Sequence, residues 1–383
     1  MDWNFLIKNK ESLHVTTDSR KVRSGSVFVA LKGEHFDGND FVEQARKDGA
    51  AYVICGENAL RDLQDLARAW RRELGLPILG ITGTNGKTTT KELCAAVLST
   101  KYKLYYTQGN LNNQIGVPLT LLSITRAHEM AIVEMGASHP GDIKELVEIA
   151  EPDYGLITNV GRAHLLGFGS FEGVMKTKAE LYDFLRAHGG FCFRNTDNPY
   201  LAKMAGDLKT VPYTTGTMPE GTHLVGGYNA ENVSAALCVG EYFGVDHETA
   251  LSAIRAYVPS NNRSQLMQTE KNTVVVDAYN ANPTSMQAAI NAFKGNAYIL
   301  GAMRELGEYS HLEHQNIVNM LLERKADKVL LVGEEYKATT APYPIFDNVD
   351  TLCEALKEAP LAGYTILLKG SRSNQLEKAI PFL

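Results

Sequence analysis

The stretch Leu79-Gly-Ile-Thr-Gly-Thr-Asn-Gly-Lys-Thr-Thr-Thr90 constrains the fold more than any other part of the chain. The apolar run Pro77 to Ile81 reads as a short buried strand, and Thr88 to Ser99 as the helix that follows it. Between them, Gly83 and Gly86 let the backbone turn so that several N–H groups face one point at the helix N-terminus. Orphan N–H groups and the positive end of the helix dipole converge there, which favours an anion. Lys87 can reach outer phosphates, and the Thr88 hydroxyl can ligate Mg²⁺. The general pattern G-x-x-x-x-G-K-[ST] would place its first glycine at position 81, which is Ile81. The strand before and the helix after support the loop reading all the same, and the segment predicts a nucleoside triphosphate site.

A strand–loop–helix unit of this kind belongs to α/β folds, and the rest of the chain continues the alternation. Its 383 residues suffice for two or three domains. We expect three: 1–76, 77–257 and 258–383. In the first, Ser26 to Leu31 and Ala51 to Cys55 read as strands, with a helix from about Asn39 to Asp48 between them. The charged helix Leu60 to Leu74 leads to Pro77. The second adds strands Ala131–Met135 and Gly155–Val160, and helices Gly141–Ala150, Val174–Arg186, Ala230–Phe243 and Glu248–Tyr257. The third has strands Thr273–Val276, Ala297–Leu300, Lys328–Val332 and Thr365–Leu368, separated by helices near Ser285–Phe293, Glu313–Arg324 and Val349–Glu358. Parallel, doubly wound sheets follow, with a P-loop unit in the middle and a Rossmann-like unit at the end.

A formal charge of −6 argues against nucleic acid or an anionic membrane as the main partner. Five scattered cysteines without a C-x-x-C pair read as reduced thiols, not as a zinc site or disulfide frame. Neither a signal peptide nor an apolar run of membrane-spanning length is legible, so a cytoplasmic protein without stable membrane insertion is expected.

In such sheets ligands gather at the carboxyl ends of the strands, where Glu134, Asn159, Asp277, Gly301 and Lys369 fall. Glu134 can hold a Mg²⁺ that bridges phosphates, or it can be a capping or salt-bridging acid. His164, just past a strand end, is a structural histidine or a metal ligand. Taken alone, Lys178 looks like a solvated helix lysine. Asp277-Ala-Tyr-Asn-Ala-Asn-Pro283 is an Asn-rich turn, and Lys369-Gly-Ser-Arg372 sets two cations after the last strand.

Together these segments resemble the Mur ligases, the ATP-dependent amide-forming enzymes of peptidoglycan precursor synthesis, over almost the whole chain. Thr17-Asp-Ser-Arg20 and Gly33-Glu-His-Phe-Asp-Gly38 look like the family's UDP-sugar domain, which implies substrate contacts at Ser19 and Arg20. Gly83-Thr-Asn-Gly-Lys-Thr-Thr89 is the family's form of the phosphate loop, so Gly83, Thr84, Asn85, Gly86, Lys87, Thr88 and Thr89 are implied ATP contacts. The segment Gly109–Pro118 implies substrate contacts at Asn112 and Asn113. Thr88, Glu134, His164 and Lys178 match the metal site, which implies two Mg²⁺ ions, with Lys178 carried as a carbamate. Asn229 and Asn232 match the adenine-side helix, and Arg263, Asp277 and Asn280 are further implied ATP contacts. Lys369, Ser371 and Arg372 are implied substrate contacts. Lys87, Lys178, His164 and Asp277 would be the catalytic group.

The last-domain motifs are similar to the branch that adds D-alanyl-D-alanine to a UDP-N-acetylmuramoyl-tripeptide. The Asp-Asn-Pro signature of the branch adding the third peptide residue is missing from the matching position. The resemblance implies a monomer acting on ATP and these small molecules. Folylpolyglutamate synthase and a non-catalytic, nucleotide-gated binding module are the rival readings. The pattern at Thr17–Arg20 opposes the first, and the presence of His164, Lys178 and Asp277 opposes the second. Two departures stand out. Ala302 replaces a usual Asp, and restoring the Asp is expected to be harmless or helpful. The segment 195–227 is short and reads as a trimmed surface subdomain.

Overall fold

A computed structural model describes residues 2–34, 36–259 and 262–383. Three sheets organise the chain. The first is parallel, in the order β1 (Val15–Thr16), β2 (Val27–Val29), β3 (Tyr52–Ile54), and all three residues of its middle strand are buried. Helix Ala59–Leu74 follows, with Leu63, Leu66, Ala67 and Trp70 on its buried face at the three- and four-residue spacing of an amphipathic helix. The Trp70 indole N–H donates to the Ile124 carbonyl at 2.9 Å, and Gly75 ends the helix with a φ of +63°.

The second sheet contains β4 (Ile78–Thr82), β5 (Leu104–Tyr106), β6 (Met130–Glu134), β7 (Tyr154–Ile157), β8 (Phe191–Asn195) and β9 (Thr210–Tyr213). Its order is β5-β6-β4-β7-β8-β9, parallel throughout. A sheet covered on both faces wants continuous apolar strands, and β4 and β6 are buried at every position. From β4 the chain crosses to the edge strand β5, returns to place β6 beside β4, and then adds β7, β8 and β9 in turn on the other side. The carboxyl end of β4 therefore lies where the strand order changes direction.

In the third sheet β10 (Gln265–Gln268), β11 (Thr273–Asp277), β12 (Ala297–Gly301), β13 (Lys328–Val332), β14 (Ile345–Phe346) and β15 (Thr365–Lys369) take the order β10-β11-β15-β12-β13-β14. Alternate residues serve opposite cores. Val275, Tyr298 and Leu367 face Met286, Ile290 and Ile317, whereas Val274, Val276 and Ile299 face Leu352 and Leu356.

The third sheet is parallel across β11-β15-β12-β13-β14, and β10 runs antiparallel to β11 at its edge. One expectation changes. The segment 195–227 is more than a surface remnant. After helix Pro199–Ala205, capped by the Asn198 side chain, it supplies β9, which pairs in parallel with β8. That strand was illegible because it is a half-exposed edge, Thr-Val-Pro-Tyr, where a proline is tolerated and no apolar run is needed.

By their contacts the residues fall into two compact units. One comprises Met1–Gly83, Val97–Thr158 and Lys176–Tyr213, and holds the first and second sheets. The other comprises Thr84–Ala96, Asn159–Met175 and Thr214–Leu383, and holds the third. Among the described residues no helix is long and apolar enough to cross a membrane.

Candidate active site

The phosphate loop leaves β4 at Thr82, whose hydroxyl donates to the Met135 carbonyl at 2.8 Å. Gly83 and Gly86 have φ of +140° and +78°, the turn for which the glycines are needed. Helix Lys87–Leu98 then begins. The N–H groups of Thr84 and Asn85 are engaged by a neighbouring residue. They donate to the Asn159 main-chain carbonyl and to Asn159 Oδ1, each at 3.0 Å, because Asn159 lies alongside the loop. Asn159 Nδ2 donates back to the Asn85 carbonyl at 3.2 Å, and Gly161 N donates to Thr84 Oγ1 at 3.0 Å. The N–H groups of the first helical turn lack acceptors within the helix. Lys87 Nζ donates to the Thr84 carbonyl at 2.9 Å; Thr88 is buried and Thr89 half-buried.

Asn232 stands behind this loop rather than on an open adenine surface. It is 6% exposed, its Oδ1 accepts from Thr90 Oγ1 and its Nδ2 donates to Asn229 Oδ1, both at 2.9 Å. A Cβ on Gly86 would collide with Asn232 Oδ1. Asn232 thus packs against the loop at Gly86.

In the first unit, Glu134 ends β6 with 1% exposure, and Asn112 Nδ2 donates to its Oε1 at 2.9 Å. Asn113 is used differently from the expected substrate contact. Its Oδ1 accepts from Gly116 N at 2.9 Å and Ile115 N at 3.2 Å, opening helix Gly116–Leu122. Lys178 is 2% exposed, which overturns the solvated-lysine reading: its position in helix Phe171–His188 turns it inward. Ser19 opens a short 3-10 turn, and the exposed Arg20 forks onto Asp18, with Nε–Oδ1 at 2.8 Å and Nη2–Oδ2 at 2.9 Å. That hydrogen bonding lowers the Asp18 pKa to about 2. Phe36 of the Gly33–Gly38 segment is exposed; His35 lies outside the described residues.

In the second unit, His164 has a left-handed φ of +50° and turns Nδ1 to the Glu305 carboxylate. Its ring meets Phe168 edge-on at 6.2 Å. Asp277 and Lys369 are register partners on β11 and β15, and their side chains form an ion pair at 2.6 Å. Lys369 Nζ also donates to the Asn280 carbonyl at 3.2 Å. Lys369 is buried and acts as counter-ion to Asp277. Ser371 likewise is buried, and its Oγ donates to Asn374 Oδ1 at 2.6 Å within a capped turn. Arg372 is exposed and pairs with Glu377 at 3.0 Å. Asn280 Oδ1 accepts from Ala281 N at 2.8 Å, and Arg263 stacks on Tyr279 at 3.7 Å.

Residues absent from the expected set also hold the loop. Asn282 Nδ2 donates to Asn85 Oδ1 at 2.8 Å, and Arg162 pairs with the buried Glu313 at 3.1 Å. Asn282-Pro-Thr-Ser285 carried a readable signal, an N-cap Asn, a first-turn Pro and a Ser that completes a capping box. Among the described residues no three His, Cys, Asp or Glu side chains group into a metal cage. Mg²⁺ needs none, since it keeps waters and takes phosphate oxygens with one or two carboxylates.

Comparison with known proteins adds the following. The protein-family model described as "Mur ligase family, catalytic domain" matches residues 13–87, "Mur ligase middle domain" matches 81–220, and "Mur ligase, glutamate ligase domain" matches 262–372. The UDP-N-acetylmuramoyl-tripeptide–D-alanyl-D-alanine ligase of Bacillus subtilis (strain 168) is 34% identical, over 96% of this chain and 92% of that protein. The Escherichia coli (strain K12) protein of the same name is 32% identical over the same shares. Among solved structures, MurF ligase from Thermotoga maritima in complex with ADP superposes with a TM-score of 0.86 at 28% identity, covering 98% of each chain. MurF from Acinetobacter baumannii gives 0.83 at 27% identity, covering 96% of this chain and 92% of its own.

Proposed function

The chain belongs to the Mur ligase family, and we propose that it joins D-alanyl-D-alanine to a UDP-N-acetylmuramoyl-tripeptide, driven by ATP, in peptidoglycan precursor synthesis. The observation that carries the reading is full-length similarity to ligases of that activity, joined to a phosphate loop held in shape on both flanks. The ADP in the Thermotoga maritima structure supports use of ATP.

In the reaction, the γ-phosphoryl group of ATP passes to the terminal carboxylate of the tripeptide, giving ADP and an acyl phosphate. The dipeptide amine attacks the acyl carbon, loses a proton, and the tetrahedral adduct expels phosphate as the amide forms. Two anions must meet in the first step, so the gain comes from placement and from fixed positive charge. The first-turn N–H groups of helix Lys87–Leu98 and the Lys87 ammonium offer that charge to the phosphates. Mg²⁺ would supply Lewis-acid charge neutralisation, and the oxygen donors Thr88 and Glu134 suit that hard cation. Lys178 and His164 would serve a second Mg²⁺. His164 suits the role through its pairing with Glu305, since a ligating histidine commonly engages a carboxylate with its other nitrogen. A carbamate forms when a lysine amine takes up CO₂, and its anionic oxygens suit a hard cation. The inward position of Lys178 supports that modification.

The domain limits 76/77 and 257/258 are proposed from the gaps between sheets, β3 ending at Ile54, β4 opening at Ile78, β9 ending at Tyr213 and β10 opening at Gln265. Five free cysteines support a reducing cytoplasm as the site of action, and a monomer as the working form is the simplest assembly for small-molecule substrates. The test is phosphate release from ATP. It should require both the UDP-muramoyl-tripeptide and D-alanyl-D-alanine; release that ignores either substrate would overturn the proposal.

A further inference from the structure

Asn85 is held from two directions. Its backbone N–H and carbonyl are bracketed by the Asn159 side chain, at 3.0 and 3.2 Å, and its own Oδ1 accepts from Asn282 Nδ2 at 2.8 Å. Asn282 is buried and does two jobs. Its Oδ1 caps helix Pro283–Ala292 by accepting from Ser285 N at 2.9 Å, which leaves the Nδ2 side for the loop. A second route runs in parallel. Thr84 Oγ1 accepts from Gly161 N, and the next residue, Arg162, donates its own N–H to Thr284 Oγ1 at 3.0 Å. The Arg162 guanidinium reaches Glu313 Oε1 at 3.1 Å, while Asn316 Nδ2 donates to Glu313 Oε2 at 3.3 Å. Glu313 is 1% exposed, so parting it from Arg162 would strand a buried carboxylate.

The first route ends at Asn282, the cap of helix Pro283–Ala292, and the second at Thr284 on that helix and at Glu313 on helix Ser310–Arg324. We infer that Asn282 and the Arg162–Glu313 pair are positioning residues that fasten the phosphate loop to the C-terminal helices, so that the loop keeps its productive shape only while those helices are seated. The inference rests on the ligase reading above. It assigns these side chains no contact with substrate; they act through Asn85 and Thr84. Neither bond route is needed to hold the third sheet together, because its cores lie on the two faces of the sheet.

The test separates fastening from capping. Asn282→Ser keeps an N-cap of equal quality but is too short to reach Asn85. Asn85→Ala removes the other half of the bond. At saturating substrates each single variant should lower kcat about ten- to a hundred-fold, with the melting temperature held. The double variant should be no worse than the weaker single, the mark of a shared interaction. The double variant Arg162→Met/Glu313→Gln removes the ion pair of the second route without leaving a buried charge, and it should lower kcat in the same way. Wild-type kcat in Asn282→Ser or in the Arg162/Glu313 pair, additive losses in the cycle, or losses that merely follow the melting temperature would each overturn the inference. Wild-type protein that fails to ligate at all would instead overturn the proposed function, so the two failures are distinct.

Discussion

Position 86 admits glycine for two independent reasons, a φ of +78° and the Asn232 side chain standing where a Cβ would be. Gly86→Ala must strain the backbone and push Asn232 from Thr90, at a cost of about 1–3 kcal/mol. We expect a lower melting temperature together with a loss of nucleotide binding. A variant that binds ADP like wild type would show that Asn232 yields freely. Ala302 shows the reverse case, in which burial overrules the expectation from related sequences. It is fully buried, and a Cβ at neighbouring Gly333 would lie 2.5 Å from its own Cβ and 3.0 Å from Glu335 Oε2. That oxygen has no hydrogen-bond partner among the described residues, while the other pairs with Arg304. A second carboxylate beside it would be desolvated next to a like charge. Ala302→Asp is therefore expected to destabilise by about 1–3 kcal/mol, not to help. Adding Glu335→Gln should recover part of the loss. Calorimetry showing Ala302→Asp at or above the wild-type melting temperature would return the position to the earlier expectation.

At the scale of elements, helix Ser310–Arg324 carries a buried histidine with both ring nitrogens in use. Met303 N donates to His314 Nε2 at 3.0 Å, and Nδ1 lies 2.7 Å from the Ser310 carbonyl, which requires the neutral ring protonated at Nδ1. Burial lowers the His314 pKa below its usual 6.5. In the unfolded chain the ring binds a proton more readily, so folding is fully supported above pH 6.5 and loses support as pH falls toward the depressed native value. Urea titrations should show stability declining below pH 6.5, and His314→Gln should flatten that part of the profile. An unchanged slope in the variant would mean that other groups set the acid limb. Elements with full apolar runs, such as β4, β6 and β13, were legible because both faces of each are covered. Edges were not: β5, β9 and β10 are half-exposed, and a side chain that meets water on one face need not be apolar.

For the molecule as a whole, nucleotide should act as a stabilising ligand. A ligand that binds only the folded chain adds about 2.7 kcal/mol at a hundred-fold excess over its Kd. Scanning calorimetry with Mg·ADP should show that upward shift in wild type. Lys87→Ala should fold normally and lose most of it, along with turnover. A full shift in the variant would remove Lys87 from the phosphate site.

Residue order alone determined the strand–loop–helix unit, the runs that become central strands, and the glycines of the loop, because each follows from neighbours within a few positions. It also showed which chemistry was available, through Lys87, Glu134, Asp277 and the resemblance those motifs carry. Tertiary structure decided how the side chains are used. Asn85 and Asn159 are 74 residues apart, Asn85 and Asn282 are 197, and Asp277 and Lys369 are 92. No local pattern encodes such pairings; they exist only once the sheets fix which strand ends are neighbours. That is why Lys369 and Asn232, both polar and both near a strand end or helix start in sequence, became a buried counter-ion and a loop brace. Lys178, by contrast, was carried into the interior by the face of its helix that the sheet covers.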